Sequence, residues 1–214
     1  MYIPKHFRES DRDRLIAFMR ENSFAILVTQ RAGAPFATHL PLVIEADADK
    51  IVLKGHVAKA NPQWHGFAID DDALAQPLPE GETLEALVIF HGPHAYISPE
   101  NYESRQSVPT WNYIAVHAYG VPRKVDSKDA MLDAMLMQYE PAQLAQWHAQ
   151  DEKYKAAMLA GIVAFEIEVT RLEGKYKLSQ NRPEGDQRHI IESLGRSNDP
   201  TISCIAAQMQ HHLD

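Results

Sequence analysis

The stretch Gly55-His56-Val57-Ala58-Lys59-Ala60-Asn61-Pro62 combines a glycine, a polar turn and a lysine at the end of an apolar strand. Backbone N–H groups exposed in such a turn, together with one ammonium, can take a single anion. On the residues alone, a surface turn with a solvated lysine is the commoner reading. The histidines are the next source of chemistry. His56 and His117 have the chemistry for proton transfer near neutral pH. His91-x-x-His94 has ligand-like spacing, but the pair flanks Gly92-Pro93 and no cysteine or carboxylate cluster joins it, so a structural or hydrogen-bonding role is expected and no metal. No paired carboxylates present themselves for acid–base work. The single cysteine, Cys204, lies on the apolar side of a C-terminal helix and is expected to be inert.

The elements that would position these groups centre on residues 86–125. Leu87-Val88-Ile89-Phe90 reads as a buried strand, punctuated by Gly92-Pro93, and Tyr96-Ile97-Ser98-Pro99 resumes an extended course. Trp111, Asn112 and His117 lie within a further strand region that runs to Val121. Upstream, Ser10 is placed to cap a helix whose apolar face is Leu15, Ile16, Phe18 and Met19. Strands follow at Phe24–Gln30, Phe36–Ile44 and Lys50–Lys54, joined by turns at Arg31–Pro35 and Ala46–Asp49. Pro41 cannot donate to a ladder, so its strand is bulged or at an edge there. Residues Asp70–Glu82 are acidic and proline-bearing and read as an exposed loop. A helix starts after Ser127, a second restarts at Pro141, and the methionines at helical spacing are packing residues. Ile162–Thr170 alternates as a half-exposed strand, with Val163, Phe165, Ile167 and Val169 on one face. Two helices, carrying Ile190 and Leu194 and then Ile202 and Ile205, end the chain.

With 45% hydrophobic and 23% charged residues, the 214-residue chain has the composition of a soluble globular protein. One domain over 1–214 is expected, with a helical insertion at about 127–160 and C-terminal helices at about 183–213. No apolar run has membrane-spanning length, the start lacks a signal-peptide core, and one cysteine suits a cytoplasmic setting. The net charge of −8 and the lack of a basic run make direct DNA binding doubtful.

A set of longer stretches carries a family likeness: Met1-Tyr2-Ile3-Pro4, His39-Leu40-Pro41-Leu42, Gly55-His56 through Asn61-Pro62, Phe90–Pro99, Val108–Tyr113 and Lys177-Leu178-Ser179-Gln180-Asn181. On these the chain resembles the PaiB-like FMN-binding negative transcriptional regulators, a branch of the flavin-binding split barrels that includes pyridoxamine phosphate oxidase. The resemblance implies an α+β, mainly β fold: an antiparallel split β-barrel with peripheral helices and a C-terminal helical segment. It also implies a homodimer with FMN at the subunit interface. In that setting Lys59 would anchor the phosphate, within a binding set that includes His56, Ala58 and Asn61. His39, Leu40, Pro41 and Leu42 would lie along the flavin. Trp111 and Asn112 would wall its ring, and Lys177, Ser179 and Gln180 would come from the C-terminal strand.

Two classes of function follow. One is a flavin protein, either a redox enzyme or a flavin-dependent sensor, in which the chemistry belongs to the cofactor. The other is a transcriptional repressor acting through DNA or a protein partner without flavin catalysis. A third reading, haem binding or degradation, rests on His211-His212 and on haem-degrading relatives of the superfamily.

Overall fold

The computed structural model describes residues 1–31, 33–68, 83–104 and 106–213. The loop read at Asp70–Glu82 lies outside the described residues. The chain forms two compact units. Unit one comprises Met1–Phe18, His91–Val116 and Glu173–Asp214, and unit two comprises Met19–Phe90 and His117–Leu172.

Helix α1 (Arg12–Glu21) has the anticipated apolar face, with Leu15, Ile16, Phe18 and Met19 all buried. Its cap differs from expectation: the Asp11 carboxylate accepts the Arg14 N–H at 3.0 Å, and Ser10 lies one residue too early. In unit two, β2 (Phe24–Arg31) pairs antiparallel with β3 (Ala34–Pro41). The turn between them uses Gly33 at φ 76°, a left-handed value that a glycine adopts without steric cost. The other edge of β2 pairs with the first residues of β6 (Ala86–Ile97), with Leu27 opposite Val88.

The single strand expected over Phe36–Ile44 is two. β3 ends at Pro41, whose missing N–H cannot continue a ladder, and β4 (Val43–Ala46) belongs to a second sheet. Leu42 makes the crossing, buried, with its N–H on the Ser23 carbonyl at 2.9 Å. The second sheet has the order β4-β5-β9-β8, from β4, β5 (Ile51–Ala58), β9 (Ile162–Glu168) and β8 (Pro122–Lys124). Its inner face buries Leu53, Val57, Phe165 and Ile167. On the opposite face, helix α2 (Lys128–Tyr139) sets Met131 and Met135 against Val43 and Ala164. The helix expected from Pro141 onward is broken into α3 (Ala142–His148) and α4 (Glu152–Ala160), because Asp151 caps a new start by accepting the Lys153 and Tyr154 N–H groups.

In unit one, β1 (Arg8–Glu9) pairs with β10 (Arg171–Lys177), Arg8 opposite Lys175. β10 neighbours β7 (Thr110–Gly120), which neighbours β6. Gly92-Pro93 does not interrupt β6. A Cβ at Gly92 would approach the Phe18 ring to 2.5 Å, so the glycine answers a packing need rather than a turn. Helices α5 (Glu184–Gly195) and α6 (Pro200–Leu213) pack on each other and bury Ile190, Leu194, Ile205 and Met209. Among the described residues no helix is long and apolar enough to cross a membrane.

Candidate functional site

Eight of the thirteen residues expected to bind a cofactor lie in unit two and five in unit one. In unit two, β5 runs on past the expected end at Lys54 to Ala58. Gly55 is therefore a mid-strand residue. A Cβ there would come within 2.7 Å of Leu42 Cδ2 and 3.3 Å of Phe165, at the place where the chain changes sheets. The turn is reduced to Lys59 and Ala60, after which Asn61 caps a short 3-10 helix, Pro62–Gly66, by accepting the Gln63 N–H at 2.9 Å.

This turn is tied down from several sides. The Lys59 N–H donates to the Gly161 carbonyl at 2.8 Å, and the Asn61 N–H to the Ala58 carbonyl at 2.8 Å. The Trp64 indole donates to the Lys59 carbonyl, and Asn61 Nδ2 reaches Thr38 Oγ1 of β3 at 2.9 Å. Two of the amides imagined for an anion are thus already used, and Ala60 supplies the remaining one. The Lys59 side chain is exposed, and among the described residues its ammonium has no carboxylate partner. The turn is held rigidly while its cation is left over. That arrangement fits a phosphate bound by charge with one supporting N–H.

Around the turn, His39 is exposed and 6.4 Å from the Phe24 ring, Pro41 is half-buried, and Leu40 and Leu42 are in the core. Ala58 is exposed at the strand end. His56 is half-buried, and its Nδ1 is a buried atom with no hydrogen-bond partner. Burial holds its imidazole below the ordinary value of 6.5. The unfolded chain therefore takes up this proton more readily than the folded one. Stability should be fully present above about pH 6.5 and lost as pH falls toward the lower folded value. Urea midpoints at pH 7.5 and 5.5 should fall for the wild type and fall less for His56→Gln. An identical drop in both would assign the acid loss to other histidines.

In unit one, Trp111 is 51% exposed, with its ring 5.9 Å from both His94 and Tyr96. His91 and His94 are exposed, with ring centroids 5.1 Å apart. Asn112 points the other way and is fully buried, its amide donating to Ser179 Oγ at 2.9 Å and to Met209 Sδ at 3.4 Å. Ser179 has φ 64°, an uncommon value for a residue with a Cβ, and the Asn112 bond holds it there. Gln180 clamps the same turn, accepting the Leu178 N–H at 2.8 Å and donating to the Tyr176 carbonyl at 2.6 Å. The polar atoms of Asn112, Ser179 and Gln180 thus fix the backbone from which Trp111 and Lys177 project. Lys177 donates to Thr110 Oγ1 at 2.5 Å and to the Trp111 carbonyl.

Sequence reasoning missed Thr38, Gln63 and Thr110 as supports. Gln63 could have been found, because Asn-Pro followed by a polar residue is the signature of a capped helical turn. Its side-chain amide is buried and donates to Leu27 O, Thr29 Oγ1 and Phe36 O.

Residues 1–171 match the model of a family described as "Putative FMN-binding domain". The whole chain is 39% identical to the protease synthase and sporulation protein PAI 2 of Bacillus subtilis, over 98% of that protein. It is also 27% identical to the uncharacterized protein AN0679 of Emericella nidulans, covering 96% of this chain and 95% of that one. Among solved structures, the FAD and heme binding protein from Mycobacterium smegmatis matches with a TM-score of 0.55 at 19% identity, over 79% of this chain and 73% of that one. The flavocytochrome Anf3 from Azotobacter vinelandii matches at 0.53 and 12%, over 82% and 72%. At such identities the likeness is one of fold, and the fold is the antiparallel split barrel.

Proposed function

The chain belongs to the FMN-binding domain family, and from that premise we propose that it is a flavin redox protein or flavin sensor whose Lys59 turn holds the FMN phosphate. The observation that carries this reading is the exposed Lys59 ammonium, without a carboxylate partner among the described residues, on a turn whose backbone is otherwise pinned. FMN, once bound, supplies reversible electron transfer. The chain's own residues bind and orient. Lys59 offsets the phosphate charge, helped by the Ala60 N–H. Asn61 holds the turn against Thr38, one residue before the exposed His39. Adding FMN to the apoprotein should shift the flavin absorption bands and quench its fluorescence. An unchanged spectrum at micromolar protein would sink the reading.

The same proposal includes a two-fold homodimer, supported by the exposed Val108, Tyr96 and Trp111 of unit one. Light scattering in moderate salt should then give twice the chain mass.

Direct reading of DNA is not part of the proposal. Helix α6, the second of a packed helix pair, carries neither lysine nor arginine, and the net charge is −8. A titration against duplex DNA from the chain's own upstream region, at physiological salt, should show no competitor-resistant binding. Nanomolar specific affinity would overturn this and restore a repressor role.

A further inference from the structure

We infer that the helical insertion of unit two carries a binding site for a small quaternary ammonium compound, in a groove shared by Glu140, Trp147 and Tyr154. None of the residues lining this groove belongs to the set expected to bind flavin.

The groove has a volume of about 360 Å³ and is lined from helices α2, α3 and α4. Leu132, Leu136 and Glu140 follow at four-residue spacing along one face of α2 and its C-cap. The buried Met131 and Met135 occupy the neighbouring face, which packs on the sheet, so this row is left over from the core. Trp147 comes from α3 and Tyr154 from the first turn of α4, and glutamines complete the lining. Backbone bonds fix the positions of these groups. The Glu140 N–H donates to the Leu136 carbonyl at 2.8 Å, and the Glu140 carbonyl accepts the Gln143 N–H at 2.9 Å. The Gln150 N–H donates to the Trp147 carbonyl at 3.1 Å, and the Tyr154 N–H to the Asp151 carboxylate at 3.1 Å.

The charge of the groove selects the ligand. Among the described residues that line it, Glu140 alone is charged. Nearby acids of the insertion are already engaged: Asp133 meets His148 Nε2 at 2.8 Å, and Glu152 pairs with Lys155 at 2.5 Å. The Glu140 carboxylate has no hydrogen bond or ion pair among the described residues. Leu132, Leu136 and Trp147 are half-buried and Tyr154 is 51% exposed, so apolar surface and two aromatic rings share one opening with an unpaired anion. Aromatic faces attract a cation, and the negative carboxylate adds to that attraction. A primary ammonium is strongly hydrated and would give up donors that this wall does not replace. A methylated ammonium has no N–H to satisfy and can bury its methyl groups against the leucines.

Choline is the probe, with 3,3-dimethyl-1-butanol as its neutral isostere and ethanolamine as the cation without methyl groups. Each is titrated by calorimetry into the full-length protein and into Glu140→Gln, Trp147→Leu and Trp147→Phe. Choline should bind the wild type about tenfold or more tightly than either control. Glu140→Gln and Trp147→Leu should each weaken choline by about fivefold to tenfold. Trp147→Phe, which keeps an aromatic face, should retain most of the binding and shows that the loss in Trp147→Leu is not misfolding. Equal affinities for choline and the neutral isostere would mean that the groove is merely apolar and takes a neutral ligand or a second copy of the chain, and would overturn the site. Equal affinity in Glu140→Gln and wild type, equal affinity for ethanolamine and choline, or no heat of binding at millimolar choline would do the same.

FMN is titrated in parallel to separate this inference from the flavin reading. Unchanged FMN affinity in Glu140→Gln and Trp147→Leu alongside weakened choline supports a separate site. A parallel loss of FMN and choline would mean that the substitutions act through the fold, and would overturn the inference. Choline binding by a wild type that takes up no FMN would defeat the flavin reading alone.

Discussion

Replacing Lys59 with alanine is expected to weaken FMN by about tenfold to a hundredfold while leaving riboflavin nearly unaffected. A charge-assisted hydrogen bond contributes roughly 1.5–3 kcal/mol, and the variant removes the cation proposed to pair with the doubly charged phosphate. The turn itself should survive. It is held by the Lys59 N–H on Gly161, the Trp64 indole on the Lys59 carbonyl and the Asn61 side chain on Thr38, none of which uses the lysine side chain. Lys59→Arg should restore much of the affinity. Riboflavin, which has no phosphate, reports on the ring alone, so flavin fluorescence titrations of both ligands decide the role. Equal losses would give Lys59 to the ring or the fold. No loss for either would move the phosphate elsewhere, with Lys177 and Arg182 of unit one the next residues to test.

What sequence could say of this turn, and what it could not, follows from the range of the forces involved. The cation was legible by type, because a lysine between a strand and an Asn-Pro cap has few apolar roles. The use of the amides was not, since the partner of the Lys59 N–H, Gly161, lies far along the chain. Elements whose signal is local periodicity were readable: the face of α1, the alternation of β9, and the final helix pair. Glycine misled in two places. Gly55 and Gly92 looked like strand ends, yet both sit inside strands where a neighbouring side chain needs the space of a Cβ. The change of sheet at Leu42 was signalled by Pro41, but a missing N–H fits an edge, a bulge or a strand end alike. Trp111 and Lys177 came into view only through the family resemblance, and the backbone that carries Lys177 depends on the turn that Ser179 makes at positive φ, held by the distant Asn112.

Gly120→Ala is expected to be the most damaging single-methyl change in unit two. Gly120 ends β7, and a Cβ there would overlap the carbonyl oxygen of Glu168 and approach Ile167 Cγ2 to 2.7 Å. The first obstacle is backbone of β9 and cannot rotate away. Relief would require the Thr170 N–H bond to the Tyr119 carbonyl, 2.9 Å long, to stretch or break. Overpacking of a fixed wall costs about 3 kcal/mol at the upper end of the usual range, against a gain of only about 0.4–1 kcal/mol from a less flexible unfolded chain. The net loss of about 2 kcal/mol or more is a large share of a typical domain's stability. Gly66→Ala is the matched control, because nothing lies within 4 Å of a Cβ built there. It should be neutral or slightly stabilising for the same unfolded-state reason. Urea unfolding followed by tryptophan fluorescence measures both. Similar midpoints for the two variants would mean that β7 and β9 can separate at Gly120 without penalty, and that the close approach is not what requires glycine there.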